Sequence, residues 1–76
     1  MYPVKLDNKR VAVADGVLRV RSHYNEMPGL SLDFPQALRL IGLDPDTMGA
    51  VFGELTDGKD RFLIHVGGKY IRNFSH

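Results

Sequence analysis

Apolar residues recur along this chain in more than one rhythm, and each change of rhythm falls at proline, glycine or aspartate. Phe34, Ala37, Leu38 and Ile41 have helical spacing and leave Gln36 and Arg39 on the opposite face. Met48, Val51, Phe52 and Leu55 form a second such stripe, backed by Asp46, Thr47, Gly49, Ala50, Gly53 and Glu54. Each stripe opens on a cap. Asp33 with Gln36 three positions on approaches a capping box, and Asp44 is followed by proline at the first helical position. Gly42 sits where the first of these helices must stop, in the left-handed conformation that glycine adopts at little cost. The pattern predicts a helix-turn-helix-like corner within 27–55.

Beyond the polar turn 56–60, RFLIHV and KYIRNF flank Gly67-Gly68, the strongest hairpin signal in the chain. Pairing Val66 with Lys69 sets His65 against Tyr70, Ile64 against Ile71 and Leu63 against Arg72. One face then carries Phe62, Ile64, Val66 and Ile71, apolar enough to cover the helices. The other carries His65, Tyr70 and Arg72, half exposed. Leu30-Ser31-Leu32 is too short for more than a bridge, with both leucines inward and well placed to add a third strand.

The first third of the chain supports two readings. Residues 1–8 offer an extended N-terminal arm. Over 9–21, Val11 and Val13, then Asp15-Gly16, then Leu18 and Val20 alternate as a hairpin would. Helical spacing instead lines up Val13, Val17, Val20, Tyr24 and Met27, with Asp15 as N-cap and Pro28-Gly29 as the stop. The helix is favoured, although the valine-rich composition suits a strand.

The resulting order, helix, short strand, helix, turn, helix and hairpin, predicts an α+β fold. It is a single small winged helix-turn-helix-like domain spanning 1–76. The expected core is Val17, Val20, Tyr24, Leu30, Leu32, Ala37, Leu38, Ile41, Met48, Val51, Leu55, Ile64 and Ile71.

Composition narrows the possibilities without naming a function. A chain of 76 residues buries only about 60% of its unfolded surface. It has no cysteine, so neither disulfides nor thiolate metal ligands are available to it. No apolar run approaches the roughly 20 residues of a membrane helix, and a cytoplasmic protein is expected. Ten Lys and Arg against nine Asp and Glu leave a net charge of +1, without the overall basicity of many nucleic-acid binders.

Catalysis is not expected. His23, His65 and His76 are dispersed without zinc-ligand spacing, no serine sits in a nucleophile elbow, and Gly67-Gly68 leads into no helix. The aspartates of 44–46 and 57–60 lack a calcium loop's alternating ligands, so neither a metal nor a cofactor is predicted.

The run EMPGLSLDFPQALRLIGLD resembles a motif of small, mostly uncharacterised bacterial proteins with a winged helix-turn-helix-like fold. Their pattern is Tyr-x-Glu-Met-Pro-Gly-Leu, a Leu and a capping residue, Gln-Ala, an Arg-Leu pair and Gly-Leu-Asp. Here those positions are Tyr24, Glu26, Met27, Pro28, Gly29, Leu30, Leu32, Gln36, Ala37, Arg39, Leu40, Gly42, Leu43 and Asp44. Gly68-Lys69-Tyr70-Ile71-Arg72 resembles the end of the family's wing. The resemblance covers roughly residues 17 to 72, moves the first segment towards helix, and implies DNA binding by analogy only. Residues Asp57-Gly58-Lys59-Asp60-Arg61 depart from the pattern, which puts the register of the first wing strand in question.

Two functions from different classes follow. One is a small DNA-binding or accessory transcription-regulatory protein, gripping the backbone of double-stranded DNA through Arg39, Lys59, Arg61, Lys69 and Arg72, with Thr47 as a base or phosphate contact. Its difficulty is the second helix of the corner, where Asp44, Asp46 and Glu54 stand in place of Arg, Lys, Asn or Gln. The alternative is a protein-interaction module without DNA. Its candidate surface is the small, acid-flanked face Gly49, Ala50 and Gly53, with His65 and Tyr70 as an aromatic patch; a homodimer suits either function.

Overall fold

The computed structural model describes residues 4–58 and 61–74. Three helices, α1 (Val4–Glu26), α2 (Phe34–Ile41) and α3 (Pro45–Asp57), combine with β1 (Ser31–Leu32), β2 (Leu63–Val66) and β3 (Lys69–Arg72). The strands form one antiparallel sheet in the order β1-β3-β2. This is the expected α+β fold, and its element order is compatible with a winged helix.

The caps behave as their chemistry requires. The Gln36 amide N–H donates to Asp33 Oδ1 at 2.8 Å, and the Asp33 N–H donates back to Gln36 Oε1 at 3.0 Å. Gly42 ends α2 at φ 82°, and Asp44 caps α3. The hairpin has the expected register, Val66 with Lys69 through to Leu63 with Arg72. Ser31 and Leu32 add the third strand by pairing with Ile71 and Tyr70.

Several expectations fail in the first helix. α1 starts at Val4, so the arm expected over 1–8 is helical from residue 4, and residues 1–3 lie outside the described residues. Asp15 is no cap. It sits mid-helix and its carboxylate meets Arg19 Nε at 2.9 Å, an i,i+4 pair on the surface. Gly16 is no turn residue either. A Cβ there would come within 2.7 Å of both Leu43 Cδ1 and Val51 Cγ2, so the glycine lets α1 approach α3 closely. Met27, expected on the inner stripe, lies past the helix end and is half exposed.

The hairpin is turned over. Leu63 is fully buried, Tyr70 and Arg72 are half-buried, and Ile64 and Val66 face outward. Arg61 adopts a left-handed φ of 44° immediately before the strand, so Phe62 and Leu63 both enter the core and alternation resumes from Leu63. Ile64 and its cross-strand partner Ile71 therefore leave the expected core, and Phe62, Leu63 and Phe52 join it.

Tyr24 ties the layers together. It is fully buried, its hydroxyl donates to the Tyr70 carbonyl at 2.6 Å, and its ring meets Phe62 edge-on at 6.4 Å. Burial pushes its pKa up to about 12, partly offset by a backbone hydrogen bond with Leu32. A phenol whose folded pKa exceeds its unfolded value of 10.0 stabilises the fold fully below pH 10, and that contribution is lost between about pH 10 and 12. Alkaline titrations of stability are expected to show this loss in the native protein. Tyr24→Phe should be less stable at neutral pH by about 1–2 kcal/mol and should show a shallower alkaline decline.

Candidate functional site

The candidates on α3 divide sharply by burial. Gly49 and Ala50 are exposed and Gly53 is half-buried, and a Cβ built at either glycine meets nothing within 4 Å. Asp46 and Glu54 are exposed beside them. Thr47 is different. Its residue is only 5% exposed, its N–H donates to Asp44 Oδ2 at 3.0 Å and its Oγ1 donates to Asp44 Oδ1 at 2.7 Å. The expectation that Thr47 offers a hydroxyl to DNA is therefore corrected: that hydroxyl completes the cap of its own helix.

A groove runs between α3 and α1 on this side. It is lined by Arg10, Val13, Ala14, Val17, Leu18, Ala50 and Glu54, is predominantly apolar, and encloses about 680 Å³. Leu18 stands 66% exposed on its α1 rim. Sequence reasoning missed the α1 half of this site, although a signal for it existed. The alternation that made 11–20 resemble a hairpin becomes, on a helix, two stripes. Val13, Val17, Val20 and Tyr24 face inward, while Val11, Ala14 and Leu18 face out. One stripe belongs to the core and the other is left uncovered.

The hairpin candidates are partly spent on the fold. The guanidinium of Arg72 lies over the Phe62 ring at 4.0 Å and near Phe74 at 5.4 Å. Its Nη1 donates to the Asn73 carbonyl at 2.8 Å and to the Phe62 carbonyl at 3.3 Å. Asn73 is buried and its Nδ2 donates to the Arg61 carbonyl at 2.9 Å, so this corner is fixed from both sides. Arg72 is thus a structural cation, bound by stacking and by carbonyls. Arg61 and Lys69 are exposed, and Lys59 lies outside the described residues.

Tyr70 and His65 are brought together, ring on ring at 4.2 Å and 5°. They form the outer end of a column rather than a free patch, because Tyr70 stacks on buried Phe52 at 4.0 Å, and Phe52 meets Phe34 at 6.1 Å. Arg39 is exposed at the end of α2, beside a shallow hollow of about 420 Å³ that includes Met27, Leu30 and Leu40.

Among the described residues, no cluster of three or more His, Asp or Glu could hold a metal ion, and no helix is long and apolar enough to cross a membrane. No protein-family model, curated protein or solved structure matches this chain.

Proposed function

We propose that this protein is a protein-interaction module on a winged-helix-like scaffold, docking a partner in the groove between α1 and α3. The observation that carries this reading is the groove itself, an open apolar channel of about 680 Å³ on the helix that a DNA reader would turn towards bases. Its α3 wall is small and acidic, with Ala50 between Gly49 and Gly53, and Glu54 at the rim. Acidic groups repel a phosphate-rich surface, whereas an apolar floor with a charged edge suits a protein partner.

The DNA reading keeps a specific basis in the exposed cations Arg39, Arg61 and Lys69, which could hold phosphates without reading sequence. Fluorescence anisotropy with a random duplex at low salt separates the two. No salt-dependent binding is expected. Tight binding that Arg39→Ala and Lys69→Ala each weaken, with a flatter salt slope, would replace the interaction reading with the DNA one.

A further inference from the structure

We infer that the occupant of the α1–α3 groove is a second copy of this chain, arranged so that the α1 rim of each copy covers the α3 rim of the other. This rests on the docking reading above and adds the identity of the partner. The two rims of the groove are complementary to each other in shape and in charge. The α1 rim is large and basic: Leu18 projects at 66% exposure, and Arg10, about two turns earlier on the helix, is exposed on the same rim. The α3 rim is small and acidic: Ala50 lies between two glycines with open space above them, and Glu54 is exposed one turn on.

Both rims border the same open channel, which leaves their facing surfaces uncovered. A two-fold axis lying along the groove solves this geometrically. Rotation by half a turn sets each α1 rim over the other copy's α3 rim, so every contact occurs twice. Leu18 then enters the space above Gly49, Ala50 and Gly53, and Ala14 allows the helices to approach. Arg10 of each copy meets Glu54 of the other at the edge of an apolar contact, where opposite charges fix register and exclude like-charged partners. The acidity and the two glycines of α3, unhelpful for holding DNA and costly for a helix, both acquire a use in this arrangement.

Sedimentation velocity on the full chain, from about 5 to 500 µM, tests the inference. The expected result is a concentration-dependent shift from monomer to dimer. Leu18→Glu and Ala50→Arg should each raise the dimer dissociation constant about tenfold or more, with the far-UV circular dichroism and thermal transition retained because both positions are exposed. Arg10→Glu alone and Glu54→Arg alone should each weaken the dimer, and the double reversal should restore it to within about threefold of the native protein. A monomer throughout that range, or a dimer indifferent to Leu18→Glu and Ala50→Arg, overturns the self-pairing. A dimer that the double reversal fails to restore overturns the proposed arrangement of rims. None of these results bears on docking of a different protein in the groove, which a cross-linker at position 50 tests separately.

Discussion

Phe52→Ala is expected to leave little folded protein. Phe52 is 2% exposed and occupies the middle of the aromatic column, 4.0 Å from Tyr70 on one side and 6.1 Å from Phe34 on the other. Truncating a buried phenylalanine costs about 3–5 kcal/mol, from lost transfer energy and from the cavity that remains. A domain of this length has a total stability of roughly 4–11 kcal/mol, so the loss is a large share of it. The column spans α2, α3 and β3, and no neighbouring side chain can refill the gap without leaving its own ring contact. Thermal unfolding followed by circular dichroism should show a midpoint lowered by roughly 15–30 °C, or no cooperative transition. A fall below about 5 °C would mean that the column is not the centre of the core.

Gly16→Val has the second largest expected effect, and its sign is opposite to what helix propensity alone suggests. Replacing an exposed mid-helix glycine usually stabilises by about 0.5–1 kcal/mol. At Gly16 the new Cβ would lie 2.7 Å from Leu43 Cδ1 and from Val51 Cγ2. Leu43 can swing aside because its tip is flexible and only half-buried. Val51 cannot, since it is fully buried and branched at Cβ. Valine adds two further methyl groups to the same space, and forced overpacking costs about 1–3 kcal/mol, sometimes more. The comparison with Gly49→Ala makes the test specific. No atom lies within 4 Å of a Cβ at Gly49, so that change should stabilise the isolated domain by about 0.5–1 kcal/mol. Urea denaturation of the two variants should move their midpoints in opposite directions. A stabilised Gly16→Val would mean that α1 and α3 do not approach closely at this point.

These glycines also show where the sequence was legible. Asp33 with Gln36, Gly42, and Asp44 before Pro45 each act through neighbours in the chain, and each sits where local chemistry placed it. The hairpin register follows from Gly67-Gly68 for the same reason. Gly16 beside Asp15 carries the local signature of a turn, yet its cause is Val51, far away in sequence. The hairpin presents the face opposite to its alternation because a left-handed Arg61 precedes Phe62 and Leu63, which are both buried, a backbone choice that no periodicity announces. The site divides along the same line. Gly49 and Ala50, with half-buried Gly53, are recognisable as a small outer face, since helical spacing alone leaves them off the core stripe. The α1 wall that completes the groove required knowing that 11–18 is helical. Thr47 and Arg72 looked available because an unpaired side chain and one engaged by Asp44 or Phe62 have the same sequence.

The central claim is that the α1–α3 groove is where this protein is held by another protein. It is tested most directly by placing a photo-cross-linking residue at position 50 in living cells. The control is position 25, where Asn25 is exposed at the far end of α1. Position 50 is predicted to give discrete protein adducts, including one at twice the chain's mass, with none from position 25. An absence of adducts at position 50, or the same adducts from both positions, would contradict the claim.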